Sequence, residues 1–473
     1  MVTEKFRRQL RQEAEKWWTE GLIDARLYQQ LAERYQLQEL ERDASHRFIA
    51  ILMGLGSVLL GLAAITFVAA NWQVWSRPVK VLLLLSLFLG VNAAGFYLWR
   101  RPRALTGQQR LGHGLLLLGA LLLGANLALL SQMFHQSGNA YELFLVWGIG
   151  VIAMAYSLRL VSLGVLAWIL IVIGYWSGWV AQFSSLDTSI WLLMVLHMPL
   201  VMAGLFVPLA YRCRSQVLFG LAGIGVAVSF CFNCISLWNS SVLPPNWLVA
   251  VAVTLPPALL WSHSSRIWRS SGTVDPFQSV ARSLALWYMG VTYFLFAIRV
   301  VWRIPIMSVG ENPWTTQALI DVVILAGLTV LGWMQLRYDW QRSWLQERAL
   351  HSGMVALLLL VGAVTLIWNF GTGSAGSPPV VGVIVFNLLL FLLAVGLIRD
   401  GLALGERGTF WGGMVLLVLG IISRMLEYNT GLLLKSIVFA LCGAGIIAAG
   451  LWFERRVKPH PARSLPSASQ EPL

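Results

Sequence analysis

The sequence predicts an all-α, polytopic membrane protein of about fourteen transmembrane helices, preceded by a small cytosolic helical hairpin. Three observations predict it. The first is composition: 58% of the 473 residues are hydrophobic and 12% are charged, with a mean hydropathy of +0.70. Soluble domains carry roughly 25% charged residues, and a soluble globule could not hide this much apolar surface. The second is the length of the apolar runs. They are continuous and near the roughly 20 residues a bilayer-crossing helix needs, whereas barrel strands would be short and alternating. The third is where the basic residues fall, taken up below.

Residues 1–47 form the one sizeable polar segment, with nine Lys/Arg and nine Asp/Glu. Phe6, Leu10 and Trp17 share one helical face, and Leu27, Leu31 and Tyr35 repeat at i, i+4. Between the two patterns, Gly21 is placed to cap the first helix in the left-handed conformation and Asp24 to cap the start of the second. So small a unit needs another surface for its apolar face. That surface is its own membrane domain, a second subunit, or a cytosolic partner; an amphipathic face says only that something covers it. No signal peptide is expected, because the first apolar run follows this charged segment.

Apolar runs follow near 48–70, 79–99, 111–131 and 141–158, forming a first membrane region over 48–158. A central region, 159–304, holds runs near 161–181, 189–210, 217–238, 246–262 and 282–302. The last region, 305–456, holds runs near 316–336, 350–370, 379–398, 409–426 and 432–452. The runs near 141–158 and 246–262 are the shortest. Residues 457–473 are rich in Pro and Ser and read as a disordered tail.

Charge orients this array. With the N-terminus in the cytoplasm, 28 of the 34 Lys/Arg fall on the inner side. The outer side receives Arg77, Lys80, Arg299, Arg303, Arg424 and Lys435. A missed span would invert every later loop and erase the asymmetry, so fourteen spans with both termini inside are expected. The net charge of +13 is therefore a topology signal, and no nucleic-acid partner is expected; the lipid bilayer is the expected partner.

Three pieces of sequence carry a resemblance. They are Trp17…Gly21-Leu22-Ile23…Tyr35, then Ala69-Ala70-Asn71-Trp72, then LLLGANLALLSQMFHQSGNAYELFLVW ending at Trp147. In this order they resemble an uncharacterised prokaryotic predicted-membrane-protein family whose N-terminal region is a domain of unknown function. The likeness covers about residues 5–160. The C-terminal part, with Asn387 and the ending GLWFERR, looks like the same family's tail. The resemblance implies a bacterial cytoplasmic-membrane location and supplies no reaction, ligand or site residue.

Polar groups inside so apolar a chain are the candidates for function. Gly112, Leu116, Ala120, Gly124 and Ala128 recur every four residues, which lets membrane helices approach closely. The same face runs on to a polar turn with Gln132, His135, Asn139 and Glu142, and Asn71-Trp72 lies at another outer helix end. These six residues either cap helix ends and satisfy loop backbone, or form an outward-facing polar pocket with His135 and Glu142 as titratable members.

A second candidate set is charged. Asp321 lies one to two turns inside an apolar run, Arg424 and Glu427 stand at i, i+3, and Arg299 is at similar depth. A carboxylate in hydrocarbon is costly, so Asp321 must face protein or water and find a partner. Arg424 and Arg299 are the expected partners. The set is either an internal ion pair fixing helix packing or a proton- or substrate-coupling site.

His197, Asn92, Asn126, Asn233 and Asn387 are read as interhelical hydrogen-bond formers. Cys231 and Cys234 form a CxxC within an apolar run with no second ligand pair, and read as packing residues. No catalytic residue, metal site or cofactor is expected: no phosphate loop, HExxH or nucleophile elbow is present. Two functional classes remain open. One is a transporter or lipid/polymer flippase; the other is a non-transporting scaffold or sensor whose hairpin docks a partner.

Overall fold

A computed structural model describes residues 4–34, 74–100, 106–135, 138–181, 189–237, 244–263, 277–303, 318–342, 346–371, 380–428 and 431–457, with isolated positions between 56 and 70. Every regular element among them is helical. Apart from those isolated positions, the first expected span, near 48–70, lies outside the described residues, as do the Asn71-Trp72 pair and the tail from residue 458.

The chain divides into two units, Met1–Leu87 and Phe88–Leu473. In the first, α1 (Glu4–Thr19) and α2 (Ala25–Arg34) form the hairpin. Gly21 adopts φ +73°, the left-handed conformation an L side chain rarely takes. The turn lets Leu22 N donate to Trp17 O at 2.8 Å, closing the end of α1. Asp24 Oδ1 accepts from Leu27 N at 2.9 Å and caps α2. The Trp18 and Tyr28 rings stack at 5.5 Å. Leu10, Trp17 and Leu31 are half-buried, while Trp18, Leu22 and Leu27 stay exposed. The side chains of Phe6 and Tyr35 are outside the described set.

Helix α3 (Arg77–Arg100) crosses the boundary between the units. The second unit continues with α4 (Thr106–Met133), α5 (Ala140–Leu158) and α6 (Val161–Ala181). The Gly112–Gly124 stripe on α4 is a buried packing surface. A Cβ at Gly112 would lie 2.6 Å from Trp99 N of α3, and one at Gly124 would overlap the Trp147 ring of α5. Trp147 Nε1 donates to Ala120 O at 2.8 Å, so the large ring lies along the small-residue face and bonds its backbone. Arg159, at φ +54°, makes the tight turn between α5 and α6.

Next come α7 (Ile190–Leu196), α8 (Met198–Cys213), α9 (Gln216–Ser236), α10 (Pro245–Ser262) and α11 (Gln278–Ala297). Helices α12 (Ala318–Arg342), α13 (Gln346–Gly371), α14 (Val380–Leu404), α15 (Arg407–Glu427) and α16 (Leu432–Val457) complete the chain. One apolar core gathers Leu145, Leu163, Ile171, Phe206 and Phe230 of α5–α9. A second gathers Met289, Tyr293, Leu366, Phe386 and Leu416 of α11 and α13–α15.

Among the described residues, twelve helices are long and apolar enough to cross a membrane. They include the short runs 140–158 and 245–262. The expected run 189–210 is different: α7 and α8 are bent by 80° at His197. Pro199 gives the reason. It lacks an N–H to donate to Val195 O, and its ring would clash with that carbonyl in a continuous helix. The expected run 282–302 also ends early. Helix α11 stops at Ala297 and passes into a 3₁₀ turn, Arg299–Arg303.

Candidate functional site

The helix break exposes main-chain groups that hydrocarbon cannot satisfy, and neighbouring helices supply partners. Leu196 O, at the end of α7, accepts from Asn233 Nδ2 of α9 at 2.6 Å. Asn233 Oδ1 in turn accepts from Tyr175 of α6, whose hydroxyl lies 3.0 Å away and also reaches Ser229 O at 3.2 Å. Asn233, Ser229 and Tyr175 are all buried. A three-helix polar chain thus holds the broken end in place.

On the other side of the break sits the carboxyl group. His197 Nδ1 lies 2.7 Å from Asp321 Oδ1 of α12. Asp321 is 1% exposed, and its second oxygen, Oδ2, is buried with no hydrogen-bond partner among the described residues. The His197 side chain is 27% exposed. The pair therefore joins a sealed carboxyl to an imidazole that reaches the surface at the bend.

This corrects the expected pairing of Asp321 with Arg424 or Arg299. Those arginines are engaged elsewhere, at the premature end of α11. Arg424 donates through Nη2 to Ala297 O, which also accepts from Asn387 Nδ2 of α14 at 3.2 Å. Arg424 Nη1 lies 2.6 Å from Glu427 Oε2. Glu427 Oε1 accepts from Arg299 N at 2.5 Å, and the Arg299 guanidinium lies 4.8 Å over the Tyr428 ring. Together they satisfy the carbonyl and amide released where the helix stops. Three of the four expected charged residues meet, and they form a clasp on backbone; Asp321 belongs to the other site.

The polar turn of α4–α5 is more open. Gln132, His135 and Asn139 are exposed, and Glu142 is half-buried. His135 adopts φ +50° as α4 ends. Asn139 occupies the N-cap position of α5, without a side-chain cap bond. The side chains of these four residues make no hydrogen bond with one another among the described residues. The nearby tie is Tyr141 OH to Ser189 Oγ, 3.2 Å, which links α5 to the start of α7. Ser189 Oγ also accepts from Leu192 N at 3.2 Å, capping α7.

Other polar groups are structural ties. Cys231 Sγ lies 2.7 Å from Tyr288 Oη, and that hydroxyl donates to Ala252 O at 2.6 Å, joining α9, α10 and α11. At the far end of α14, His351 Nδ1 and Asp400 Oδ2 are 3.3 Å apart at an exposed position. A cavity of about 330 Å³ lies between α11, α14 and α15, lined by residues that include Trp287, Leu397, Gly408 and Gly412. A smaller one of about 160 Å³ adjoins Asn387 and Arg424.

The 80° bend at His197 leaves 189–210 as one broken span or a re-entrant loop, a feature not expected from the sequence although His197-Met198-Pro199 is a break signal. The His197–Asp321 pairing is likewise not legible in the sequence, which presents His197 as an isolated hydrogen-bond former 124 residues away.

The helices and their buried polar ties define a polytopic, all-α membrane protein in a lipid bilayer. Residues 15–164 match the family model described as "Predicted membrane protein (DUF2157)", a domain of unknown function. That match contains the Trp17 to Tyr35 pattern, the Ala69–Trp72 segment and the α4–α5 signature. No curated protein and no solved structure matches the chain.

Proposed function

We propose that the chain is a membrane transporter whose moving element is the broken helix α7–α8. The carrying observation is the coincidence of an 80° bend at His197 with a buried carboxyl tied to the bend residue. Discontinuous helices place main-chain groups and charges where ions and substrates bind in secondary transporters. A buried ionisable residue inside a span marks a pathway or an ion pair. Here the carboxyl is paired with a titratable group rather than with a permanently charged arginine. That favours a switchable contact over a fixed one. The cargo class is a small solute, a lipid or an envelope polymer precursor. The proposed setting is a bacterial cytoplasmic membrane, with both termini inside as the Lys/Arg asymmetry requires.

The test is a comparison of lipids and envelope polymers between deletion and wild-type cells, complemented by wild-type or Asp321→Asn protein. Accumulation of a precursor on one side, reversed by the wild type alone, is the expected result. Full complementation by Asp321→Asn at wild-type expression sinks the reading.

A second reading, a scaffold or sensor, rests on one observation: Trp18, Leu22 and Leu27 leave apolar surface exposed on the hairpin, Leu22 at 69%. Such a surface fits a cytosolic partner or self-association. If deleting residues 1–45 removes the phenotype while Asp321→Asn and His197→Gln preserve it, the scaffold reading replaces the transporter.

A further inference from the structure

We infer that the His197–Asp321 pair is a proton-binding site, and that the ion coupled to movement of the α7–α8 bend is H⁺ rather than a metal cation. The inference rests on the transporter reading for its purpose, but the site itself is a claim about these two side chains.

The geometry supplies the parts of a relay. Nδ1 of His197 is 2.7 Å from Oδ1 of Asp321, within hydrogen-bond range. The ring's other nitrogen belongs to a side chain that is 27% exposed, whereas the carboxyl is sealed. With the carboxylate ionised, the neutral imidazole carries its proton on Nδ1 and donates it to Oδ1. A proton arriving from the accessible side adds to Nε2. The Nδ1 proton then passes to Oδ1. The products are a neutral imidazole protonated at Nε2 and a carboxylic acid. One N–H bond forms, one N–H breaks and one O–H forms; the pair gains one proton and needs no other reactant.

The surroundings fit a proton better than a metal. Hard cations take about six oxygen ligands. The polar groups beside the break are already engaged: Asn233 with Leu196 O and Tyr175, and Tyr175 with Ser229 O. Among the described residues, Asp321 Oδ2 is the unpartnered oxygen left on the carboxyl, too small a ligand set for a hard cation, while Oδ1, facing His197 Nδ1, is placed to take a single proton.

The remaining titratable groups on the packed elements are Tyr141, Glu142 and Tyr156 on α5, Tyr175 on α6, Tyr211 and Cys213 on α8, and Cys231 and Cys234 on α9; α10 carries none within Pro245–Ser262. Glu142 lies at the start of α5, in the polar turn; the phenols and thiols are ordinarily neutral below about pH 8. No arginine or lysine lies beside the pair on these helices: Arg212 and Arg214 sit at the far end of α8, and Arg337 and Arg342 at the far end of α12. Protonation therefore changes the charge at the bend by a full unit, with no Lys or Arg beside it on these helices among the described residues to mask it. It also replaces a carboxylate acceptor by an acid, which loosens the tie between α12 and the bend.

The test uses the full-length protein reconstituted in liposomes and infrared difference spectroscopy over a pH series. A carboxylic-acid C=O band that rises on acidification, disappears in Asp321→Asn, and titrates with a midpoint moved by about one pH unit or more in His197→Gln is the expected result, because coupled groups titrate as a pair. Should Asp321→Asn fail to fold by circular dichroism and size exclusion, Asp321→Glu takes its place and must shift the band's frequency. A band indifferent to both Asp321 variants, or a midpoint unmoved in His197→Gln, overturns the proposal. Proton movement across the same vesicles is measured with an entrapped pH-sensitive dye under an imposed pH gradient. A titrating pair without movement retains the proton site and removes the transporter; movement without a titrating pair does the reverse.

Discussion

Asn233 of α9 donates a 2.6 Å hydrogen bond to Leu196 O, the carbonyl left over where α7 breaks. The bond converts a defect into a joint. An unsatisfied carbonyl in a dry interior costs about 1–3 kcal/mol, and Asn233 also accepts from Tyr175. Asn233→Ala would strand the Leu196 carbonyl, while the Tyr175 hydroxyl keeps Ser229 O as its acceptor. The expected loss is about 1–3 kcal/mol, read as a lower unfolding midpoint in detergent. Asn233→Ala at wild-type stability would mean that water or another group serves the carbonyl.

The clasp at the end of α11 makes a different demand. Arg424 and Glu427 side chains are 15% and 12% exposed, so removing one partner leaves a charge with little water. Breaking a buried pair in this way costs about 3–5 kcal/mol. Arg424→Ala and Glu427→Ala are each expected to cost that much. Arg424→Ala/Glu427→Ala should cost clearly less than their sum, because the double variant strands no charge. High salt should change these values little, since buried pairs are weakly screened. Additive losses in a thermal double-mutant cycle would show that the two residues act independently.

What could be read in advance follows from the range of each signal. The hairpin caps at Gly21 and Asp24 are local, set within three or four residues of a helix end, and the sequence shows both. The apolar runs are local too, and among the described residues twelve of them are helices of spanning length. The ends of α7 and α11 were less legible for opposite reasons. Pro199 marks the first, but hydropathy is blind to a missing N–H, so the run looked whole. At the second, Ala297-Ile298-Arg299-Val300-Val301 has neither Gly nor Pro. The helix stops where Asn387, Arg424 and Glu427 take over its backbone, and these residues come from helices far along the chain. The Asp321 partner was hidden for the same reason. Charge alone favours an arginine, but the arginines were already committed to backbone, and only the fold brings a histidine within reach.

Close helix approach gives a third prediction. A Cβ at Gly413 would lie 2.7 Å from Ala394 O, and one at Gly401 would overlap the Phe410 backbone, so α14 and α15 touch through glycine. Backbone atoms cannot step aside as a flexible side chain can. Gly413→Ala should cost about 1–3 kcal/mol through overpacking. Gly412, one position earlier, meets nothing within 4 Å, and Gly412→Ala should be neutral or slightly stabilising through helix propensity. Equal effects from the two substitutions would contradict this packing.

The hairpin offers the last prediction, on whether its stability is separable from that of the bundle. Gly21 holds φ +73° in open space, so a side chain there meets no clash and pays only the left-handed strain, about 1 kcal/mol. Asp24→Ala removes the carboxylate that accepts from Leu27 N, at about 1 kcal/mol. Both residues act on the same short connection between α1 and α2. Hydrogen exchange on the full-length protein should therefore show amides of Trp17–Tyr28 exchanging about fivefold faster in either variant, with α5 and α6 unchanged. If protection in α5 and α6 falls together with the hairpin's, the two regions unfold as one cooperative element, and the hairpin is a structural part of the bundle. If the hairpin alone responds, it is a detachable module, as the docking reading of Trp18, Leu22 and Leu27 requires.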